Sequence, residues 1–151
     1  MPSIACLVKL LIKDFPEFKF YNDDTFCWSP ESKTIYYPVD STDSASLLHE
    51  LAHGVLGHDK YKKDIQLIEI ERDAWEYASN VLSKKYGIII KNSSINKSLD
   101  SYREWLNARS SCPICKATGF EAKKNNYKCI ACNCKWRVNE ARICGLKRYK
   151  I

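Results

Sequence analysis

The chain has 151 residues, 45% of them hydrophobic and 28% charged, with only 5 Gly and 5 Pro, which excludes a disordered, collagen-like or low-complexity polypeptide. Its net charge of +6 and its 8 Cys are unevenly spread: residues 1–109 carry 14 Lys and Arg against 16 Asp and Glu, whereas residues 110–151 carry 10 against 2 and hold six of the cysteines. This predicts two domains, a near-neutral body over residues 1–109 and a small basic, Cys-rich domain over residues 110–151.

The first apolar run, Ile4 to Phe15, lacks a basic leader and a small-residue cleavage site, and Lys9 interrupts it. Ile4, Leu7, Val8, Leu11, Ile12 and Phe15 recur at helical spacing, so the run reads as an amphipathic helix and not as a signal peptide. No stretch approaches the roughly 20 apolar residues that span a bilayer. The expectation is a soluble, cytoplasmic protein with no membrane partner, in which closely spaced Cys pairs are metal ligands rather than disulfides.

Phe18 to Tyr21, Thr25 to Trp28 and Thr34 to Tyr37 are short aromatic and β-branched runs separated by turn residues, which predicts a small antiparallel sheet. Ser41 to Ser44 offers N-caps for a helix running to Leu56, with Gly57 as its stop. A long helix over about 63–86 ends at Gly87, Ile88 to Ile90 is a short strand or extended link, 92–96 is a polar connector, and a further helix covers 98–110.

Within the central helix, residues 47–58 read LLHELAHGVLGH. Positions i and i+4 share one helix face, so His49 and His53 can reach one tetrahedral zinc ion. Glu50 stands about 100° around the helix from His49, where it can hold a zinc-bound water and accept its proton; zinc lowers the pKa of that water to about 7, which makes it a nucleophile for a peptide carbonyl. All 3 His of the chain, at 49, 53 and 58, lie in this segment. A catalytic zinc takes three protein ligands and keeps one open position. On the next helix Leu67, Ile70, Ala74, Ala78 and Val81 form an apolar stripe, and Glu71 lies on it, whereas Glu69, Asp73 and Glu76 face solvent. A carboxylate on a core-facing stripe costs several kcal/mol unless it is paired or bound to metal, which favours Glu71 as the third ligand. Glu69 and His58 remain its rivals. Tyr36, Tyr37 and Tyr61 are candidates for steadying a developing oxyanion. An extended peptide substrate would add to a sheet edge, expected near Thr34 to Tyr37.

His49-Glu50-Leu51-Ala52-His53 followed by the acidic helix Glu71-Arg72-Asp73-Ala74-Trp75-Glu76-Tyr77-Ala78 resembles the ImmA/IrrE family of zinc metallopeptidases over roughly residues 1–90. The resemblance implies a helical zincin-like core of α+β class with a small sheet, His49, His53 and Glu71 as ligands of a catalytic zinc, Glu50 as general base, and a repressor or regulator protein as substrate. Many members carry Asn or Asp at the position of Trp75. The chain is also similar to SprT-like proteases, which join a HExxH domain to a zinc ribbon, but no His follows His58 to serve as their third ligand.

In the basic domain, Cys112, Cys115, Cys129 and Cys132 are spaced C-x2-C-x13-C-x2-C, a pattern for one structural zinc bound by four thiolates. Residues 119–122 and 125–128 read as the hairpin of a zinc ribbon, whose small core depends on the metal to fold. Cys134 is the alternative to Cys132, and Cys6, Cys27 and Cys144 read as small buried hydrophobes. Trp136 to Val138 continues a strand, and Asn139 caps a last basic helix bearing Arg142, Lys147, Arg148 and Lys150. These cations interleave with Tyr127, Trp136 and Tyr149, and such a surface contacts nucleic acid or an acidic protein. The chain therefore reads as a zinc-dependent endopeptidase with one catalytic and one structural Zn2+, its ribbon recognising a protein substrate or a nucleic acid. The alternative is a non-catalytic module that binds nucleic acid or a repressor on a zinc-stabilised scaffold.

Overall fold

The computed structural model describes residues 2–141 and 145–151. Arg142 and Cys144, singled out above, lie outside the described residues. The fold is mixed α+β, with several helices and two small sheets. Its contacts divide into two compact units, Met1–Asp59 with Ile70–Ile95 and Lys60–Glu69 with Asn96–Ile151. Residues 60–69 and 96–109 fall in the same unit as the Cys-rich segment.

The first unit opens with α1 (Ile4–Asp14), capped by the Ser3 hydroxyl, which accepts from the Cys6 backbone N–H. Ile4, Leu7, Val8 and Leu11 are buried as their spacing predicts, and Ile12 is exposed. Strands β1 (Lys19–Asn22), β2 (Cys27–Ser29) and β3 (Thr34–Tyr37) follow, in the order β1-β3-β2. The sheet is mixed and not antiparallel as expected: β2 and β3 form an antiparallel hairpin, and β1 joins the far side of β3 in parallel. Thr34 to Tyr37 is thus the middle strand and no edge. From this strand Ile35 is fully buried in the hydrophobic core. Helix α2 (Ser44–Val55) starts at the Asp43 carboxylate, which accepts from the Ser46 backbone N–H, and packs against β2 and β3. Its buried face is Leu47, Leu48, Leu51 and Ala52.

Helix α3 (Asp64–Tyr77) runs into a π-helical turn, Ala78–Leu82, and then into α4 (Ser83–Tyr86), which Gly87 ends in the left-handed conformation at φ 65°. The wider turn shifts the helical phase. The predicted stripe holds through Ala74 and Ala78, but beyond the shift Leu82 is buried at 1% and Val81 is exposed at 44%. Ile88 to Ile90 forms no strand.

Helix α5 (Asn92–Ser110), which belongs to the second unit from Asn96 on, begins earlier than expected and takes in the polar segment 92–96. Strands β4 (Phe120–Lys123), β5 (Asn126–Lys128), β6 (Lys135–Val138) and β7 (Arg148–Lys150) form an antiparallel sheet in chain order. The expected C-terminal helix is not what its last residues form: Arg148–Lys150 pairs with β6, and the Asn139 amide, instead of capping a helix, donates to the Gly145 carbonyl and accepts from the Lys147 N–H. Tyr127, Trp136 and Val138 make the small core with Cys112 and Cys129. Gly119 is required beneath Trp136, since a Cβ there would stand 2.4 Å from the indole.

The polar centre of this unit is the ion pair of Asp64 and Arg109, each 1% exposed. Arg109 Nε donates to Asp64 Oδ2 at 2.7 Å, and its Nη2 donates to Asn125 Oδ1 at 2.6 Å. The Tyr127 hydroxyl donates to the same carboxylate at 2.6 Å, and the Trp136 indole N–H donates to the Arg109 carbonyl at 3.0 Å. Burial and the neighbouring Asp64 push the Tyr127 hydroxyl above its ordinary pKa, so it stays a donor. Removing one partner leaves the other charge buried and alone, at a cost of about 3–5 kcal/mol. Asp64→Ala should therefore lower the stability of the metal-loaded protein by that amount, read as a fall in the urea unfolding midpoint. A change below about 1 kcal/mol would contradict the arrangement.

Candidate metal centres

Two groups of side chains are placed to coordinate metal ions: His49, His53 and Glu71, and Cys112, Cys115, Cys129 and Cys132. The first lies in the first unit. The i to i+4 spacing on α2 sets His49 Nε2 3.1 Å from His53 Nε2, and α3 brings Glu71 Oε2 to 2.9 Å from His49 Nε2 and Oε1 to 3.4 Å from His53 Nε2. In a tetrahedron the ligand–ligand edge is about 1.6 times the bond length, so N and O ligands of a zinc-like ion stand about 3.3 Å apart. The observed spacings fit such an ion.

Glu71, 7% exposed, is the third member of the group. Burial pushes its carboxyl up, but hydrogen bonds from His49 and His53 outweigh burial and hold it at about 2. Glu69 is exposed and outside the group. His58 does not converge on the other donors either; its Nδ1 lies 2.9 Å from His53 Nδ1. Were a metal ion to take up the His53 Nε2 lone pair, the ring proton would sit on Nδ1 and donate to His58 Nδ1. That bond fixes the His53 tautomer and ring orientation. Burial and then His53 hold His58 below the ordinary histidine range, which keeps it neutral and able to accept.

Two tryptophans complete the surroundings: Trp75, noted in the sequence only as a departure from Asn or Asp, and Trp28, which carried no site signal there. The Trp75 ring stacks on His49 at 4.1 Å and 17°. His49 Nδ1 is buried with no hydrogen-bond partner among the described residues, and Trp75 covers the face of the imidazole ring. Trp28 donates its indole N–H to the His58 carbonyl at 2.9 Å, and its ring packs at 3.1 Å from where a Cβ on Gly54 would stand.

Glu50 is half-buried beside this group. Burial raises its carboxyl above the ordinary range, while His49 and His53 and the Trp28 backbone N–H pull the other way. Cys27, expected to be buried, is exposed on β2, and burial of its thiol and the Glu50 charge push its pKa up. Cys6 is exposed as well. The tyrosines suggested for an oxyanion are engaged in packing: Tyr36 edge-on against Tyr21, Tyr37 against the hydrophobic core, and Tyr61 beneath the Lys124 ammonium in the second unit.

The four thiols lie in the second unit on two matching knuckles. Each closes with the same pair of backbone bonds, Lys116 N–H to the Cys112 carbonyl and Cys112 N–H to the Ala117 carbonyl, Asn133 N–H to the Cys129 carbonyl and Cys129 N–H to the Cys134 carbonyl. Lys116 and Asn133 both take positive φ, 65° and 60°, to turn the chain after the second Cys. Cys112 Sγ lies 3.6 Å from Cys132 Sγ, and Cys115 Sγ 3.5 Å from Cys129 Sγ. Sulfur ligands of a zinc-like tetrahedral ion stand about 3.8 Å apart. Burial opposes ionisation of Cys112, but the backbone N–H groups of Cys115 and Ile114 and the neighbouring thiols bring it down to about 6, so one ligand ionises readily near neutrality. Cys134 is not in the group of four.

Comparison of the chain with protein-family models, with curated proteins and with solved structures found no match. Among the described residues no helix is long and apolar enough to cross a membrane.

Metal titration of the stripped protein, followed by native mass spectrometry, should saturate at two ions per chain. Chelation should unfold the Cys-rich unit, seen as loss of the near-ultraviolet signal of Trp136; retention of that signal in metal-free protein would contradict metal-dependent folding. His58→Ala should weaken binding at the His/His/Glu group by about 10- to 100-fold and leave the thiolate group unaffected. Unchanged affinity at both would show that the His53–His58 bond orients nothing.

Proposed function

We propose that the chain is a zinc-dependent endopeptidase whose catalytic residue is Glu50 and whose metal ligands are His49, His53 and Glu71. The single observation that carries this reading is the convergence of those three donors with Glu50 immediately alongside. The resemblance of residues 1–90 to the ImmA/IrrE metallopeptidases points the same way. The zinc ion, when bound, supplies Lewis-acid polarisation of the scissile carbonyl and acidifies a water. Three protein ligands leave a tetrahedral ion one open position for that chemistry.

Glu50 takes the proton from the attacking water and returns it to the departing amine. His58 and Trp75 keep His53 and His49 in their orientations through the cycle. The substrate is an extended peptide that adds to β2, the edge of the three-stranded sheet whose Trp28 N–H faces Glu50. A protein with an accessible unstructured segment, such as a repressor or regulator, presents such a strand. Cys112, Cys115, Cys129 and Cys132 hold a second zinc whose role is structural.

Glu50→Gln keeps size and hydrogen bonding but removes the base. Incubated with an unstructured protein library and read by mass spectrometry of new termini, the wild type should release peptides. The variant should do so about 100- to 10,000-fold more slowly at unchanged metal content. Equal cleavage by the variant would eliminate Glu50 as the base, and no cleavage by zinc-loaded wild type would eliminate the peptidase reading.

A further inference from the structure

We infer that the outward face of the four-stranded sheet is a binding surface for single-stranded nucleic acid. Residues opposite one another on neighbouring strands share a face. The pairings Phe120–Lys128–Lys135 and Asn126–Arg137–Tyr149 therefore place these six side chains on one side. Tyr127, Trp136 and Val138 occupy the other, and all three are buried. Exposure alternates accordingly along β6, with Lys135 and Arg137 exposed and Trp136 and Val138 buried.

The face has three properties that together select its partner. It is uncompensated: among the described residues Lys128, Lys135 and Arg137 have no carboxylate within 4.0 Å. The two acidic residues of 110–151 are engaged elsewhere. Glu121 accepts from the backbone N–H groups of Asp64 and Asn125, and Glu140 accepts from the Asn125 side-chain amide. The face also carries two open rings, Phe120 at 47% and Tyr149 at 42% exposed, on its two outer strands. Three strand spacings of about 4.8 Å separate those strands, so roughly 14 Å of cationic surface lies between the rings. Finally, the Arg137 guanidinium lies 5.2 Å over one face of the Tyr149 ring, which sets a positive charge directly beside the stacking residue at that end.

Cations without rings would serve any polyanion, and rings without cations would serve an apolar peptide. Cations between exposed rings match a strand whose phosphates need neutralising and whose bases need a stacking partner. A duplex keeps its bases stacked on one another and offers these rings nothing. An acidic protein surface would meet the cations but leave Phe120 and Tyr149 without a role. The inference stands on the sheet alone and does not depend on the peptidase reading.

The test uses the full zinc-loaded chain and a fluorescein-labelled mixed-sequence 12-mer, as a single strand and as its duplex, in anisotropy titrations from 50 to 200 mM salt. The single strand should bind more tightly than the duplex, with an affinity that falls steeply with salt. Lys135→Gln with Arg137→Gln should weaken binding at least about 10-fold and reduce the salt slope by about two phosphate contacts. Tyr149→Ala should weaken single-strand binding about 5- to 100-fold while leaving the slope nearly unchanged, which separates stacking from charge. Circular dichroism and zinc content confirm that each variant is folded, and Glu50→Gln should bind as the wild type does. Duplex binding equal to single-strand binding, or a Tyr149→Ala variant with wild-type affinity, would overturn the inference. So would absence of binding at 50 mM salt, or displacement of the oligonucleotide by polyaspartate at equal charge concentration.

Discussion

Lone pairs that point at one another repel unless a proton or a cation stands between them, and both units of this chain are arranged around such a set. In the first, two imidazole nitrogens and a carboxylate meet within 3.4 Å. In the second, four sulfur atoms meet with pair distances as short as 3.5 Å. Each set is held by elements whose other faces are ordinary core: α2 by Leu47, Leu48 and Leu51, the knuckles by Tyr127 and Trp136. Hydrophobic packing brings the donors together, and a cation turns their mutual repulsion into attraction. A metal bound at either centre would be part of the folding energetics of its unit.

Much of this was legible because ligand geometry follows from spacing. The i to i+4 histidines and the paired knuckles need only local backbone to converge, and Glu71 betrayed itself by lying on the face that Ala74 and Ala78 bury. What was not legible depends on partners distant in the chain. Nothing around Trp75 announces that its ring will lie on His49, and His58 reads as a rival ligand until its bond to His53 is seen. Strand order escaped for the same reason: Thr34 to Tyr37 has the composition of any short strand, and its central place comes from β1 joining it in parallel. Beyond Ala78 the periodicity admits both Val81 at i+3 and Leu82 at i+4, and the π turn decides between them by burying Leu82 and leaving Val81 exposed.

Charge tells a similar story of local composition and tertiary outcome. The excess of Lys and Arg after residue 109 is plain in the composition, but composition alone does not say whether those cations are paired. In the fold, Glu121 and Glu140 turn to backbone and amide donors, and Arg109 is withdrawn into the interior by Asp64. The remaining cations on the outward face of the sheet are left to face solvent together, between two exposed rings. A net charge becomes a directed surface only once the internal ion pairs have been subtracted.

The interleaving of the two units bears on how such a chain can be inherited or rebuilt. The chain enters the Cys-rich unit at Lys60, leaves it within α3, and returns within α5. Residues 110–151 are therefore no transplantable cassette. Moved alone onto another protein, they would bring the Tyr127 hydroxyl and the Trp136 indole without the Asp64 carboxylate and the Arg109 carbonyl that receive them. A fragment that kept these bonds would have to include Asp64 and Arg109 as well as residues 110–151.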